Sequence, residues 1–286
     1  MSDFTARSAL QTGLDLIRRR PLLILLWAAL TLAQTVFFTF IRARLLEQMQ
    51  AGIFAGAASA FSGQFLAFTA AASVLSLMLT ALLWTSAFRA ILRPAEGAVL
   101  ALGLEELCVF VSWVIIQLVV ATAAALLPVF VVSHFGAPGD DRIPFAIAVV
   151  ETLGLLWSAV ASAWAFDRRR VGLFRCWTIA GDRIWLLAVL VVGVDLLQRL
   201  IKNLATVFIF RQYTTSRLGL LGLSVTRTRS VLVPPRDPLQ EIFDPAILAE
   251  YAFSAVIGAL LIAIVAGVVA SAYRTRETES QADAFS

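Results

Sequence analysis

The stretch VVGVDLLQRLIKNLATVFIF, residues 191–210, sets Asp195, Arg199 and Lys202 inside a run that otherwise belongs in lipid. At about 100° per residue, Asp195, Gln198, Arg199, Lys202 and Thr206 share one side of a helix. Leu196, Leu197, Leu200, Leu204, Val207 and Phe208 cover the other. Asp195 and Arg199 stand four apart with the acid first, the favoured order for an ion pair along a helix. A charge left in hydrocarbon costs about 3 kcal/mol or more, so this helix crosses a membrane only with its polar side against protein or water.

A second buried charge is expected opposite. Glu151 is the only formal charge in the apolar run Ile143 to Phe166. At about 1.5 Å per residue, Glu151 and Lys202 each lie about 12 Å from the outer end of adjacent antiparallel spans, Arg199 lies about 16 Å down, and Glu250 sits above them. Glu151, Asp195, Arg199, Lys202 and Glu250 therefore form the candidate polar cluster. Two readings of it stay open. The charges neutralise one another and lock helix packing, or they line a cavity, open to the outer face, that binds a small solute or a lipid headgroup.

Catalysis is not expected. The chain has no metal-ligand spacing, no nucleophile motif and no Gly-rich phosphate loop, so no catalytic residue, metal site or cofactor is assigned. The single histidine, His134, falls in an expected outer loop. Cys108 and Cys176 read as small apolar fillers near one membrane face, not as a disulfide or thiolate site.

The elements that must position the cluster follow from composition. Of 286 residues, 60% are hydrophobic and 15% charged, with mean hydropathy +0.86. That exceeds what a soluble domain buries, and lipid is the expected main solvent. Crossing about 30 Å of hydrocarbon takes roughly 20 apolar residues per helix. Runs of that length predict an all-α, polytopic transmembrane helical bundle with six spans, over 21–43, 65–88, 107–133, 143–166, 184–210 and 246–273. Both termini are expected in the cytoplasm, with 274–286 a cytoplasmic tail. Residues 1–20, with Phe4, Leu10, Leu14 and Ile17 near one face and arginines at the end, read as an interfacial amphipathic helix or as a solvated start to the first span.

The charge rule competes with this count. A five-span arrangement that leaves 184–210 out of the membrane puts only Arg42, Arg44, Arg142, Arg274 and Arg276 outside, a better score for positive-inside orientation. Against it stands IWLLAVLVVGV, whose uncharged residues need lipid or another apolar partner, so hydropathy decides for six. Between the spans, QAGIFAGAASAFSGQ offers small residues Gly52 and Gly56 for close helix approach, and 212–245 reads as a short hairpin or interfacial layer ahead of PPRDP. Basic patches such as DRRR abut a span and suit anionic lipid headgroups, not nucleic acid.

Three stretches, SAFRAILRPAEGAVLALGLEELCVF, SAWAFDRRRVGLFRCWTIAGDRIWLLAVL and VVASAYRTR, together resemble a family of six-span bacterial inner-membrane proteins. More distantly, they resemble the membrane portion of bacterial glycerophosphoryl diester phosphodiesterases. The resemblance implies a helical bundle with cytoplasmic termini in the bacterial inner membrane. It brings no activity, because the phosphodiesterase domain with its histidines and clustered carboxylates is absent from this sequence. The expected role is that of a non-enzymatic binding or organising protein of the cell envelope with membrane lipids as partners. The alternative is a small-solute or lipid transporter, for which neither an inverted repeat nor paired broken helices are visible.

Overall fold

The computed structural model describes residues 5–54, 63–96, 100, 103–135, 142–174, 177, 181–208, 217–218, 223–224 and 244–285. These form seven helices: α1 (Ala6–Arg19), α2 (Pro21–Phe54), α3 (Gly63–Leu92), α4 (Leu104–Phe135), α5 (Arg142–Arg168), α6 (Ile184–Phe208) and α7 (Pro245–Phe285). Six carry windows long and apolar enough to cross a membrane: Pro21–Ile41, Ala70–Leu92, Leu104–Leu127, Ala146–Arg168, Ile184–Ala205 and Ile247–Thr278. The chain is thus an all-α, multi-pass membrane protein by the length and apolarity of its helices, and the six-span count includes the disputed α6.

Local sequence sets the boundaries. Thr5 and Ser8 make a capping box at the head of α1, with Ser8 N donating to Thr5 Oγ1 at 3.2 Å. Pro21 disfavours helical backbone at Arg20, whose φ and ψ are −135° and 58°, and then supplies the first residue of α2. Pro94 stops α3 in the same way, and Pro245 opens α7 behind Asp244, whose carbonyl accepts from Leu248 N at 2.9 Å. Arg169 terminates α5 in the left-handed region, φ 53°, which a non-glycine residue adopts at a cost of about 1 kcal/mol.

Among the described residues, α7 is the central element, packed against α1, α2, α3, α5 and α6. Its buried side is mostly small: Ala255, Ala259, Ala263, Ala266 and Ala270 let neighbouring backbones approach, which is what drives association where lipid is as apolar as the side chains. Val265, Val268 and Val269 are also buried, so this part of α7 is enclosed on every side. α4 and α5 form the most extensive helix pair, and Ile116, Leu156 and Val160 fill their shared core.

The N-terminal helix differs in detail from its sequence reading. Its buried edge is Ala9, Gly13 and Leu16, while Leu14 is exposed and Leu10 and Ile17 flank the contact. Phe4 lies outside the described residues. Close passage over α7 explains the change, because backbone-to-backbone contact selects the smallest residues and turns the large ones away.

Several loop readings can be placed. α2 continues to Phe54, so Gly52 lies in a helix, while Gly56 is outside the described residues. His134 falls on the last turn of α4 rather than in a loop, Cys108 is buried in the core, and Cys176 is outside the described residues. Of 212–245, Arg217 pairs antiparallel with Ser224 and Leu218 with Leu223, a short hairpin rung. The rest of that segment up to Phe243 is outside the described residues.

Candidate functional site

α6 turns the Asp195 edge of its polar stripe inward. Leu187, Val191 and Asp195, one helical turn apart, are buried, whereas Leu197, Leu200 and Leu204 are exposed on the opposite face. Asp195 is only 7% exposed. Its Oδ2 accepts from Arg199 Nε at 2.8 Å and lies 3.4 Å from Thr152 Oγ1 of α5, whose single hydrogen is shared with the carbonyl of Ala148 at 2.8 Å. The i, i+4 pair forms as its spacing predicts, and Thr152, which the sequence reading passed over, adds a hydroxyl from the facing helix. Thr152 directly follows Glu151, and a hydroxyl beside the only acid of a span is the signal that marks it.

Arg199 then reaches across to α5, where its Nη2 lies 3.8 Å from Glu151 Oε2. The depth count puts Glu151 level with Lys202; the side chain instead meets Arg199. Lys202 is half-buried one turn further along α6, and Glu250 is half-buried on the first turns of α7. The side chain of Thr206 lies outside the described residues. Burial is uneven across the cluster: the Asp195 side chain is 10% exposed, that of Arg199 41% and that of Glu151 52%. The cluster thus runs from a covered end at Asp195 to an exposed end at Arg199 and Glu151.

A denser ionic network occupies the other end of the bundle. Arg89, in the last turns of α3, donates to Glu105 Oε2 at 3.0 Å and pairs with Glu106 Oε1, both in the first turn of α4. Arg93 Nη1 donates to Glu105 Oε1 at 2.7 Å, and Arg169 Nε donates to the same oxygen at 3.0 Å. The left-handed turn at Arg169 thus comes where its guanidinium folds back onto Glu105. Asp167 accepts from the Tyr273 hydroxyl of α7 and lies 3.4 Å from Arg168, which reaches Glu277 at 3.8 Å. Arg274 donates to the carbonyl of Ile91, and Arg20 to that of Pro94 at 3.2 Å.

Aromatic residues form the floor beneath these charges. The guanidinium carbons of Arg93 and Arg89 lie 4.9 and 5.7 Å from the ring centre of fully buried Phe166. Phe166 tilts against Phe88, Phe88 against Trp84, and Trp84 against Trp113. Two buried indole N–H groups are satisfied in place, that of Trp113 by Ser162 Oγ at 2.8 Å and that of Trp27 by Ser86 Oγ at 3.2 Å. Glu106 Oε2 is buried against Gly103, without a hydrogen-bond partner among the described residues. This network joins α3, α4, α5 and α7 at one level, and its chemistry is that of a clamp.

In the sequence these charges fall among connecting residues, because the uncharged runs end at Phe88 and begin again at Leu107. In the structure α3 carries on to Leu92 and α4 starts at Leu104, so Arg89, Glu105 and Glu106 fall inside helices and are buried by their neighbours. Their one sequence-level signal is that opposite charges bracket the same connection, in RAILRP and LEELC.

Fold and site together define a polytopic helical membrane protein with two separated ionic clusters. Comparison with protein-family models, with curated proteins and with solved structures found no match.

Proposed function

We propose that this is a non-enzymatic protein of the bacterial inner membrane, with both termini in the cytoplasm, that holds a polar ligand in a notch between α5 and α6, at Asp195, Arg199 and Glu151. The ligand class is a lipid headgroup or a small polar solute, and the role is binding or organisation within the cell envelope. One observation carries the reading: the side chains of Arg199 and Glu151 are about half open although, counted along their helices, they lie roughly 14 Å inside the outer ends. At that depth, unlike at the membrane edge where the Arg168 and Arg169 side chains are open, a network serving only to lock helices is expected to be covered by protein. Open charges at that depth call for a polar occupant or a water-filled path to it.

The arginine-rich ends of α1, α3 and α5, gathered with Arg274 and Arg276, support the cytoplasmic assignment of that side. α1, with Leu14 exposed and Arg18 and Arg19 in its last turn, suits the membrane interface.

The test is thiol accessibility in cells, in a background lacking Cys108 and Cys176. Cysteine at Thr206, on the stripe and nearer the outer end, is expected to react with a membrane-impermeant reagent added outside, and cysteine at Leu204, on the exposed leucine face, is not. Thiolate is the reactive form and is strongly disfavoured in hydrocarbon, so labelling requires water. Absence of labelling at both positions in folded protein would leave the cluster as a dry lock and end the binding reading.

A further inference from the structure

A second polar recess lies on the opposite flank of the bundle, between α2, α3 and α7, in a cavity of about 400 Å³. Thr31, Thr35 and Thr39 line it from α2 and Thr80 from α3. Each of these hydroxyls donates to the carbonyl four residues earlier in its own helix, at 2.9, 2.9, 2.8 and 2.9 Å. A hydroxyl has one hydrogen and two lone pairs, so with the hydrogen spent inside the helix what remains for a ligand is an acceptor. Gln34 behaves the same way: its Nε2 donates to Ser76 Oγ at 2.6 Å and lies 3.5 Å from Ser76 O, which occupies the amide hydrogens and leaves the amide oxygen to accept. The rest of the wall is apolar, from Phe38, Leu83 and Ile262.

The depth and the lack of charge select the occupant. Counted from Arg20 and from Leu92, Thr31 and Thr80 lie roughly 16 to 18 Å from the charged end, so the recess reaches from near the middle of the hydrocarbon layer, at Thr31 and Thr80, to its far edge at Thr39, about 28 Å along. No lining residue carries a formal charge. Bringing a phosphate or ammonium to that depth without a counter-charge costs far more than bringing a hydroxyl, for which the unpaired transfer is a few kcal/mol and is offset once it finds an acceptor. We propose that this recess binds a neutral, hydroxyl-bearing lipid of the diacylglycerol or long-chain alcohol class, its O–H donating to the threonine oxygens and its chains lying along Phe38, Leu83 and Ile262. This site shares no residue with the α5–α6 notch, and its failure or success leaves that reading untouched.

The test uses the full-length protein in lipid nanodiscs and native mass spectrometry, with dioleoylglycerol, its O-methyl ether and dioleoyl phosphatidylglycerol as probes. Wild-type protein is expected to retain dioleoylglycerol at least fivefold better than the ether, about the ratio one neutral hydrogen bond provides. Thr31→Val, Thr35→Val and Thr80→Val together, which remove three of the acceptors at nearly constant volume and leave Thr39 and Gln34, are expected to weaken that preference severalfold while leaving phosphatidylglycerol retention unchanged. Equal retention of alcohol and ether by wild-type protein overturns the proposal whether or not the variant folds. So does preferential retention of phosphatidylglycerol that the three substitutions abolish.

Discussion

Gly13 of α1 and Gly267 of α7 cross in direct backbone contact: a Cβ added at Gly267 would stand 2.5 Å from Gly13 Cα, and one added at Gly13 would stand 2.6 Å from Ile264 Cα. Backbone cannot swing aside as a side chain does, so alanine at either position forces the helices apart. Gly267→Ala and Gly13→Ala are each expected to destabilise the protein by about 1–3 kcal/mol, the usual range for overpacking. Gly258→Ala, where an added Cβ meets nothing within 4 Å, is the control and should leave melting in detergent unchanged or slightly raised. Equal effects at Gly258 and Gly267 would mean that α1 does not dock at this crossing.

The Arg89 clamp yields a non-additive prediction. Arg89→Met leaves Glu105 with Arg93 and Arg169 but strips Glu106 of the arginine it pairs with. An uncompensated buried charge of this kind costs about 3–5 kcal/mol. Adding Glu106→Gln to Arg89→Met should recover a substantial part of the loss, and a double-mutant cycle by thermal melting measures the coupling. Additive losses would show that the two side chains are energetically independent.

In the notch, Asp195 and Glu151 should respond differently to loss of Arg199. Arg199→Met removes the 2.8 Å partner of a carboxylate that is almost fully buried, leaving it the longer contact to Thr152 and the more distant charge of Lys202. The expected cost is about 3–5 kcal/mol, and Asp195→Leu in the same chain should restore most of it. Glu151→Gln breaks only a 3.8 Å contact between half-open side chains, and its effect on melting should be the smaller. A larger penalty for Glu151→Gln than for Arg199→Met would show that Glu151, not Asp195, anchors the site. Glu151→Gln combined with Lys202→Met completes the set. Rescue of Glu151→Gln by Lys202→Met would restore Lys202 as its partner.

Orientation has its own direct measurement. Reporter fusions after Arg276 and within 214–229 should place the first in the cytoplasm and the second outside, as expected if the end bearing Arg89, Arg93, Arg169 and Arg274 faces inward. A tail detected outside would reverse the notch and the clamp with respect to the membrane.

What the sequence determines here is one-dimensional. Span length, apolar runs and the prolines at 21 and 94 state where helices cross and stop, because hydrocarbon thickness and proline geometry act on consecutive residues. The α6 stripe was equally legible, including the Asp195–Arg199 pair, since its charges are so few that their angular positions stand out. Which helix covers which was not. α4 and the apolar part of α7 are apolar on nearly every side, so periodicity points to no contacting face there. Arg169 with Glu105 and Tyr273 with Asp167 are joined across chain separations that no local pattern encodes. Those contacts, the Gly13–Gly267 crossing and the hydroxyl-lined recess exist only once small residues let particular backbones approach, and close packing, unlike hydropathy, is a property of surfaces meeting in three dimensions.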